Sequence, residues 1–157
     1  MIKGITLGKF APLHKGHQFL IEYALSRVDE LTIVIYACEE LSNCPLDTRI
    51  SWIKELYPLV RVIPAPDGPL EVGYTPEITH KHDMYLKQLL KGQQYDFFFS
   101  SEPYGEHVSK ALNCSDIRVD QTRAHIPISA TMIRGNVNMY QKYVSPMILN
   151  CMKNKQI

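Results

Sequence analysis

Near its start the chain reads Gly8-Lys9-Phe10-Ala11-Pro12-Leu13-His14-Lys15-Gly16-His17, which places two histidines three residues apart beside a glycine and close to a lysine. An imidazole donates an N–H to a phosphate oxygen, and as an imidazolium it adds positive charge where a reacting phosphorus gains electron density. On a tight turn entering a helix this spacing aims both rings at one point. The amides of the first helical turn, strengthened by the helix dipole, would attract the same anion. Gly8 lets the backbone approach a ligand closely, Pro12 stiffens the turn, and Gly16 opens the helix with no side chain in the way. Histidines also fall beside glycines in ordinary strand-to-helix turns. Here residue types, spacing and position agree, and they point to a polyphosphate site. A zinc site would need a third ligand, and none stands at a recognisable spacing, so no resident metal is expected.

A second anion site is read near the end, in Ile128-Ser129-Ala130-Thr131-Met132-Ile133-Arg134. Ser129 or Thr131 is a natural helix N-cap, and about one turn later Arg134 can place its guanidinium fork on a phosphate. Taken alone, a hydroxyl-rich cap followed by arginine is an ordinary helix start. Paired with the first motif it offers a second helix N-terminus, and the two would grip one triphosphate from opposite sides.

The elements that must position these groups follow from apolar patterning. Apolar, β-branched runs at residues 2–7, 31–36, 60–63, 95–99 and 117–119 suit strands covered on both faces. Phe97, Phe98 and Phe99 fit a buried strand better than a base-stacking surface. Between the runs, Phe19, Leu20, Tyr23, Ala24 and Val28, then Ile50, Ile53, Leu56 and Tyr57, carry helical spacing. Further helices are expected over 82–90, 104–112 and 139–151. Alternating strands and helices predict a Rossmann-like, doubly wound parallel sheet, with ligands at its carboxyl edge. One long irregular segment is expected at 64–77, where Pro64, Pro66, Pro69 and Pro76 join Gly68 and Gly73. No repeat or linker divides the chain, so residues 1–157 are read as one domain.

Seventeen Lys+Arg against sixteen Asp+Glu leave the charge near zero, without the basic excess of nonspecific nucleic-acid binding. No stretch reaches the roughly 18 apolar residues needed to span a bilayer, and the N-terminus lacks a signal-peptide pattern, so a cytoplasmic protein is expected. Cys38, Cys44, Cys114 and Cys151 form no CxxC pair and are read as reduced thiols. His80-Lys81-His82-Asp83 is read as a solvated helix start rather than a metal cluster.

The two motifs together resemble the HxGH nucleotidyltransferase superfamily, whose members combine the first motif with an Ile-Ser-x-Thr-x-Ile-Arg signature. The Pro12 form looks like the adenylyltransferase branch, since cytidylyltransferases carry Asp at the position held here by Ala11. Across nearly the whole chain the resemblance extends to the nicotinamide mononucleotide (NMN) adenylyltransferase domain of the NadR type. Its carriers are Gly8-Lys9-Phe10, Val28-Asp29-Glu30-Leu31, Arg49 with Trp52, Asp67-Gly68, Ser100-Ser101-Glu102-Pro103 and Val119-Asp120, with Arg123 leading into the last motif.

That resemblance implies transfer of AMP from ATP to NMN. It places the ATP phosphates on Lys9, His14, His17, Ser129, Thr131 and Arg134, with Gly8, Phe10, Gly16, Ala130 and Arg123 completing the nucleotide site. Ser100, Ser101, Glu102 and Tyr104 would border the adenosine, and Arg49, Trp52 and Asp67 would face the acceptor. His17 is assigned to the α-phosphate, His14 to the bridging region, Arg134 to the β- and γ-phosphates and Lys9 to charge neutralisation. Mg²⁺ would be held mainly by the ATP phosphates. For Arg49 the plain alternative is a solvated helix arginine. The family's tryptophans after the long loop are replaced by Thr79-His80-Lys81-His82-Asp83-Met84-Tyr85, leaving His80, His82 or Tyr85 as substitute stacking faces. No GxxxxGK[ST] loop or helix-turn-helix occurs, so neither the kinase activity nor the DNA binding of longer relatives is expected. Two alternatives remain: an adenylyltransferase for another phosphorylated acceptor such as phosphopantetheine, and a non-catalytic ATP- or NAD-sensing module. A homo-oligomer is compatible with either.

Overall fold

A computed structural model describes residues 1–41, 43–102 and 105–154. Its first strand, β1 (Lys3–Gly8), leads into α1 (Lys15–Leu25), β2 (Glu30–Tyr36), α2 (Leu46–Leu56) and β3 (Arg61–Ala65). The chain then crosses back through α3 (Pro76–Leu89) to β4 (Phe97–Ser100), α4 (Gly105–Ala111) and β5 (Ser115–Arg118). It ends in α5 (Ala130–Gly135), a 3-10 turn at Gln141–Tyr143 and α6 (Pro146–Asn154). The strands form a parallel sheet of order β3-β2-β1-β4-β5, in register from Lys3 opposite Glu30 to Gly8 opposite Ile35. This is the Rossmann-like, doubly wound α/β architecture expected from the patterning.

The strand order reverses between β1 and β4, so right-handed crossovers put α1 and α2 on one face and α3 and α4 on the other. Leu20, Ile21, Trp52, Ile53, Ile133 and Ile148 pack on one face, from α1, α2, α5 and α6. Leu86, Leu90 and Val108 pack with Ile5, Val34 and Phe98 on the other, from α3 and α4. Phe98 and Phe99 are fully buried in the interior strand β4, as a covered strand requires. The carboxyl ends of β1 and β4, at Gly8 and Ser100, flank the reversal and leave a crevice there.

Several boundaries differ from the sequence expectation. β3 continues through Pro64 to Ala65, because an edge strand tolerates a residue without an N–H. α3 begins at Pro76 rather than residue 82: Thr75 caps it, its hydroxyl accepting from Ile78 N at 3.3 Å, and Pro76 occupies the first helical turn. The irregular segment is thereby reduced to 66–75. The single helix expected over 139–151 is broken, since Pro146 starts a helix more readily than it continues one. All four cysteines are free thiols, and among the described residues no helix is long and apolar enough to cross a membrane.

Candidate active site

The turn after β1 is shaped by its own backbone. Phe10 sits at φ 50°, in the left-handed region, where a non-glycine residue persists only when its surroundings hold it. Arg49 supplies much of that hold. It is 1% exposed, and its guanidinium donates to the carbonyls of Lys9 (2.6 Å), Tyr36 (2.8 Å) and Cys44 (3.0 Å). One buried cation thus ties the β1 turn to the end of β2 and the approach to α2.

The two histidines cap α1. His14 Nδ1 accepts from the amides of Gly16 (3.0 Å) and His17 (3.3 Å), while His17 Nδ1 accepts from the His14 amide (3.2 Å). This is a reciprocal capping box built from imidazoles. The rings stack with centroids 3.7 Å apart. Gly16 is required by this arrangement: a Cβ there would lie 2.8 Å from His14 Cε1.

Accepting at Nδ1 fixes the proton of each neutral ring on Nε2, so each histidine presents an Nε2–H donor. Burial, then the Arg123 charge, lowers the His14 pKa from 6.5 to about 4. Burial, then His14 and Arg123, holds His17 well below its usual value. Two expectations are corrected. The rings are neutral donors rather than imidazoliums, because a proton on Nδ1 would break the caps. The Gly16 and His17 amides are taken by the His14 ring rather than offered to an anion.

The late motif meets this turn. Ser129 caps α5, accepting from Met132 N at 3.2 Å, and Thr131 Oγ1 accepts from Arg134 at 3.3 Å. Arg134 also donates to the Ala11 carbonyl at 2.7 Å, across 123 positions of sequence. Between them, Asp120 (φ 50°) and Arg123 (φ 57°) shape the preceding loop. Arg123 donates to the Ile128 carbonyl (2.6 Å) and to Glu102 (3.0 Å).

A cleft of about 400 Å³ opens over the carboxyl edge of the sheet. Gly8, Lys9, Phe10, His17, Ala130 and Arg134 form one side of it, and Ser101 and Glu102 follow β4. Lys9 is paired with Glu40 at 3.3 Å, and the Cys38 thiol, the backbone and Lys9 lower Glu40 to about 2. His14, only 4% exposed, lies behind His17 rather than on the cleft wall, and Ser100 is buried at the end of β4. Tyr104 lies outside the described residues.

The residues read as acceptor-facing are placed otherwise. Arg49 is neither solvated nor on the cleft wall, and Trp52, 2% exposed, belongs to the core beside α1. Asp67 accepts from the Tyr85 hydroxyl at 2.8 Å; burial, then Asp67, raises the Tyr85 pKa to about 12. Neither Asp67 nor Tyr85 lines the cleft, and His80 is exposed away from it. The far wall comes instead from His82, Leu86, His107 and Val108, with Pro69 to Tyr74 at the lip. His82 contacts the Glu71 carbonyl through Nε2 at 2.8 Å, and Lys81 pairs with Glu71. Of these, the sequence marked His82 and the long irregular segment that holds Pro69 to Tyr74, but not Leu86, His107 or Val108. Among the described residues no group of three His, Cys, Asp or Glu could hold a metal ion.

Known proteins resemble this chain in sequence and fold. Residues 5–136 match the Cytidylyltransferase-like family. The trifunctional NAD biosynthesis/regulator protein NadR of Escherichia coli (strain K12) is 30% identical over 162 aligned residues, which cover 90% of this chain and 38% of that protein. The chain therefore spans well under half the length of that relative. A crystal structure of NadR in complex with NAD and AMP-PNP superposes with a TM-score of 0.65 at 22% identity, over 91% of this chain and 44% of the other. Plasmodium falciparum nicotinic acid mononucleotide adenylyltransferase, complexed with APC, gives 0.56 at 14% identity over 99% and 96%. With the histidine-capped turn and the Ser129–Arg134 helix meeting across one cleft, the chain belongs to the cytidylyltransferase-like family of HxGH nucleotidyltransferases and is an enzyme of that class.

Proposed function

We propose that the chain transfers the adenylyl group of ATP to nicotinamide mononucleotide, releasing pyrophosphate and forming NAD. The observation that carries this reading is the meeting of Lys9, His17 and Arg134 around one cleft at the sheet's reversal point. NadR-type stretches along the chain, and the similarity to NadR itself, favour the nicotinamide acceptor.

An oxygen of the acceptor's phosphate attacks the α-phosphorus of ATP in line. As that bond forms, the bond from α-phosphorus to the bridging oxygen breaks, and its electron pair leaves with pyrophosphate. A phosphate monoester is ionised near neutral pH, so catalysis consists of aligning two anions and stabilising the transferred charge. His17 donates its Nε2–H to the α-phosphate, Arg134 pairs with the β- and γ-phosphates, and Lys9 leaves Glu40 to neutralise the chain of charges. His14, stacked behind His17 and off the cleft wall, supports and orients that ring rather than reaching the bridging oxygens itself. Mg²⁺ would be held mainly by the ATP phosphates, where it would neutralise charge, since the cleft's own carboxylates, Glu71 and Glu102, are engaged by Lys81 and Arg123. We assign this activity to a single domain over 1–157, in the cytoplasm, working as a possible homo-oligomer.

The test is pyrophosphate release from Mg-ATP with a panel of phosphorylated acceptors. Release dependent on nicotinamide mononucleotide is the expected result. Release with phosphopantetheine alone would reassign the acceptor, and ATP binding without release would make the chain a sensor.

A further inference from the structure

The cleft spans both faces of the sheet, and its halves carry different chemistry. His17 and Arg134 stand on the α1 and α5 side; His82, Leu86, His107 and Val108 stand on the α3 and α4 side. There His107 Nδ1 meets Asp83 Oδ1 at 2.7 Å, joining α4 to α3, with both side chains about one-quarter exposed. A carboxylate oxygen accepts here, so His107 Nδ1 carries the proton of this bond, and the neutral tautomer that the bond selects keeps a lone pair on Nε2. His82 differs, since its own Nε2 is engaged by the Glu71 carbonyl.

Adenylyl transfer as described above needs no general base, and the Asp83–His107 pair has no part in it. Leu86 and Val108 beside the pair offer an apolar wall suited to a flat ring, and His107 is a polar group at that wall. We propose that His107, oriented by Asp83, reads the substituent on the acceptor's pyridine ring. Nε2 accepts an N–H from a carboxamide and opposes a carboxylate, whose lone pairs would face its own. His107 is then a specificity-determining residue favouring nicotinamide over nicotinic acid mononucleotide, and Asp83 its positioning residue. The assignment rests on the adenylyltransferase reading.

The experiment compares kcat/KM for the two mononucleotides, with Mg-ATP, in the wild type, His107→Phe and Asp83→Asn. The wild type should favour the carboxamide by about tenfold or more, the scale of one hydrogen bond made rather than opposed. His107→Phe keeps a flat ring and should bring the ratio near one. Asp83→Asn, whose amide donates as readily as it accepts, frees the tautomer and should give an intermediate ratio. KM for ATP should stay within about twofold in both, which separates recognition from damage to the fold. A wild-type preference for the carboxylate, or a ratio unchanged in both variants, overturns the assignment. Pyrophosphate release with neither mononucleotide removes the adenylyltransferase reading beneath it, and the assignment falls with it.

Discussion

The two halves of the cleft are built by different means. On the side proposed for phosphate, groups are fixed by hydrogen bonds to the backbone: His14 to Gly16 and His17, His17 back to His14, and Arg134 to the Ala11 carbonyl. On the side proposed for the acceptor, side chains from α3, α4 and the 66–75 segment meet through contacts between side chains, such as His107 with Asp83 and Tyr85 with Asp67. Backbone-anchored geometry cannot be altered without altering the turn itself. Side-chain geometry can be exchanged position by position, which suits a half that distinguishes one acceptor from another.

The sharpest way to break this contrast is on the phosphate side. His17→Ala should lower turnover by about 2.7–4 kcal/mol of barrier, the cost of one transition-state donor, while the thermal midpoint moves only by the loss of one cap contact. Unchanged turnover in the folded variant would remove His17 from the chemistry.

The next effect is on stability against pH. The folded His14 titrates near 4 against an ordinary 6.5, so between those values the unfolded chain binds a proton that the folded chain rejects. Stability is therefore full above about pH 7 and declines as pH falls toward 4, by about 3 kcal/mol from this residue. Urea unfolding at several pH values should show that slope. His14→Asn, which retains a cap but does not titrate, should lessen it, leaving the slope of the same sign that the buried His17 contributes. Turnover of the same variant tells whether the ring itself touches the nucleotide.

Smaller in size, but aimed at the boundary between the halves, is Arg49→Ala. It removes the Arg49 hydrogen bonds to the Lys9, Tyr36 and Cys44 carbonyls and should cost about 2–3 kcal/mol in urea unfolding. Wild-type stability with a raised KM for the acceptor alone would return Arg49 to the acceptor side and undo the comparison.

The same contrast explains what the sequence disclosed. The sheet, the helix starts and the His14–His17 turn depend on neighbours within one or two turns, and hydrophobic runs, caps and glycines mark such neighbours directly. Arg49 was visible as a residue but not as a role. A helical arginine in a polar stretch carries no sign that three carbonyls from separate elements converge on it. Asp83 and His107 are 24 positions apart, on helices whose contact exists only in the folded chain, and no local spacing announces the pair. Pro64 and Pro146 were read as loop and mid-helix residues, because whether a proline sits on an edge strand or opens a new helix depends on neighbours supplied by the fold.

The bond from Arg134 to the Ala11 carbonyl joins the first loop of the chain to its fifth helix. A nascent or truncated polypeptide that ends before α5 cannot assemble both jaws, whatever its first sheet strands have already achieved. On the proposed chemistry, turnover would report a chain folded through α5, and a nucleotide that engages both jaws should shield the segment that carries α5 from proteases.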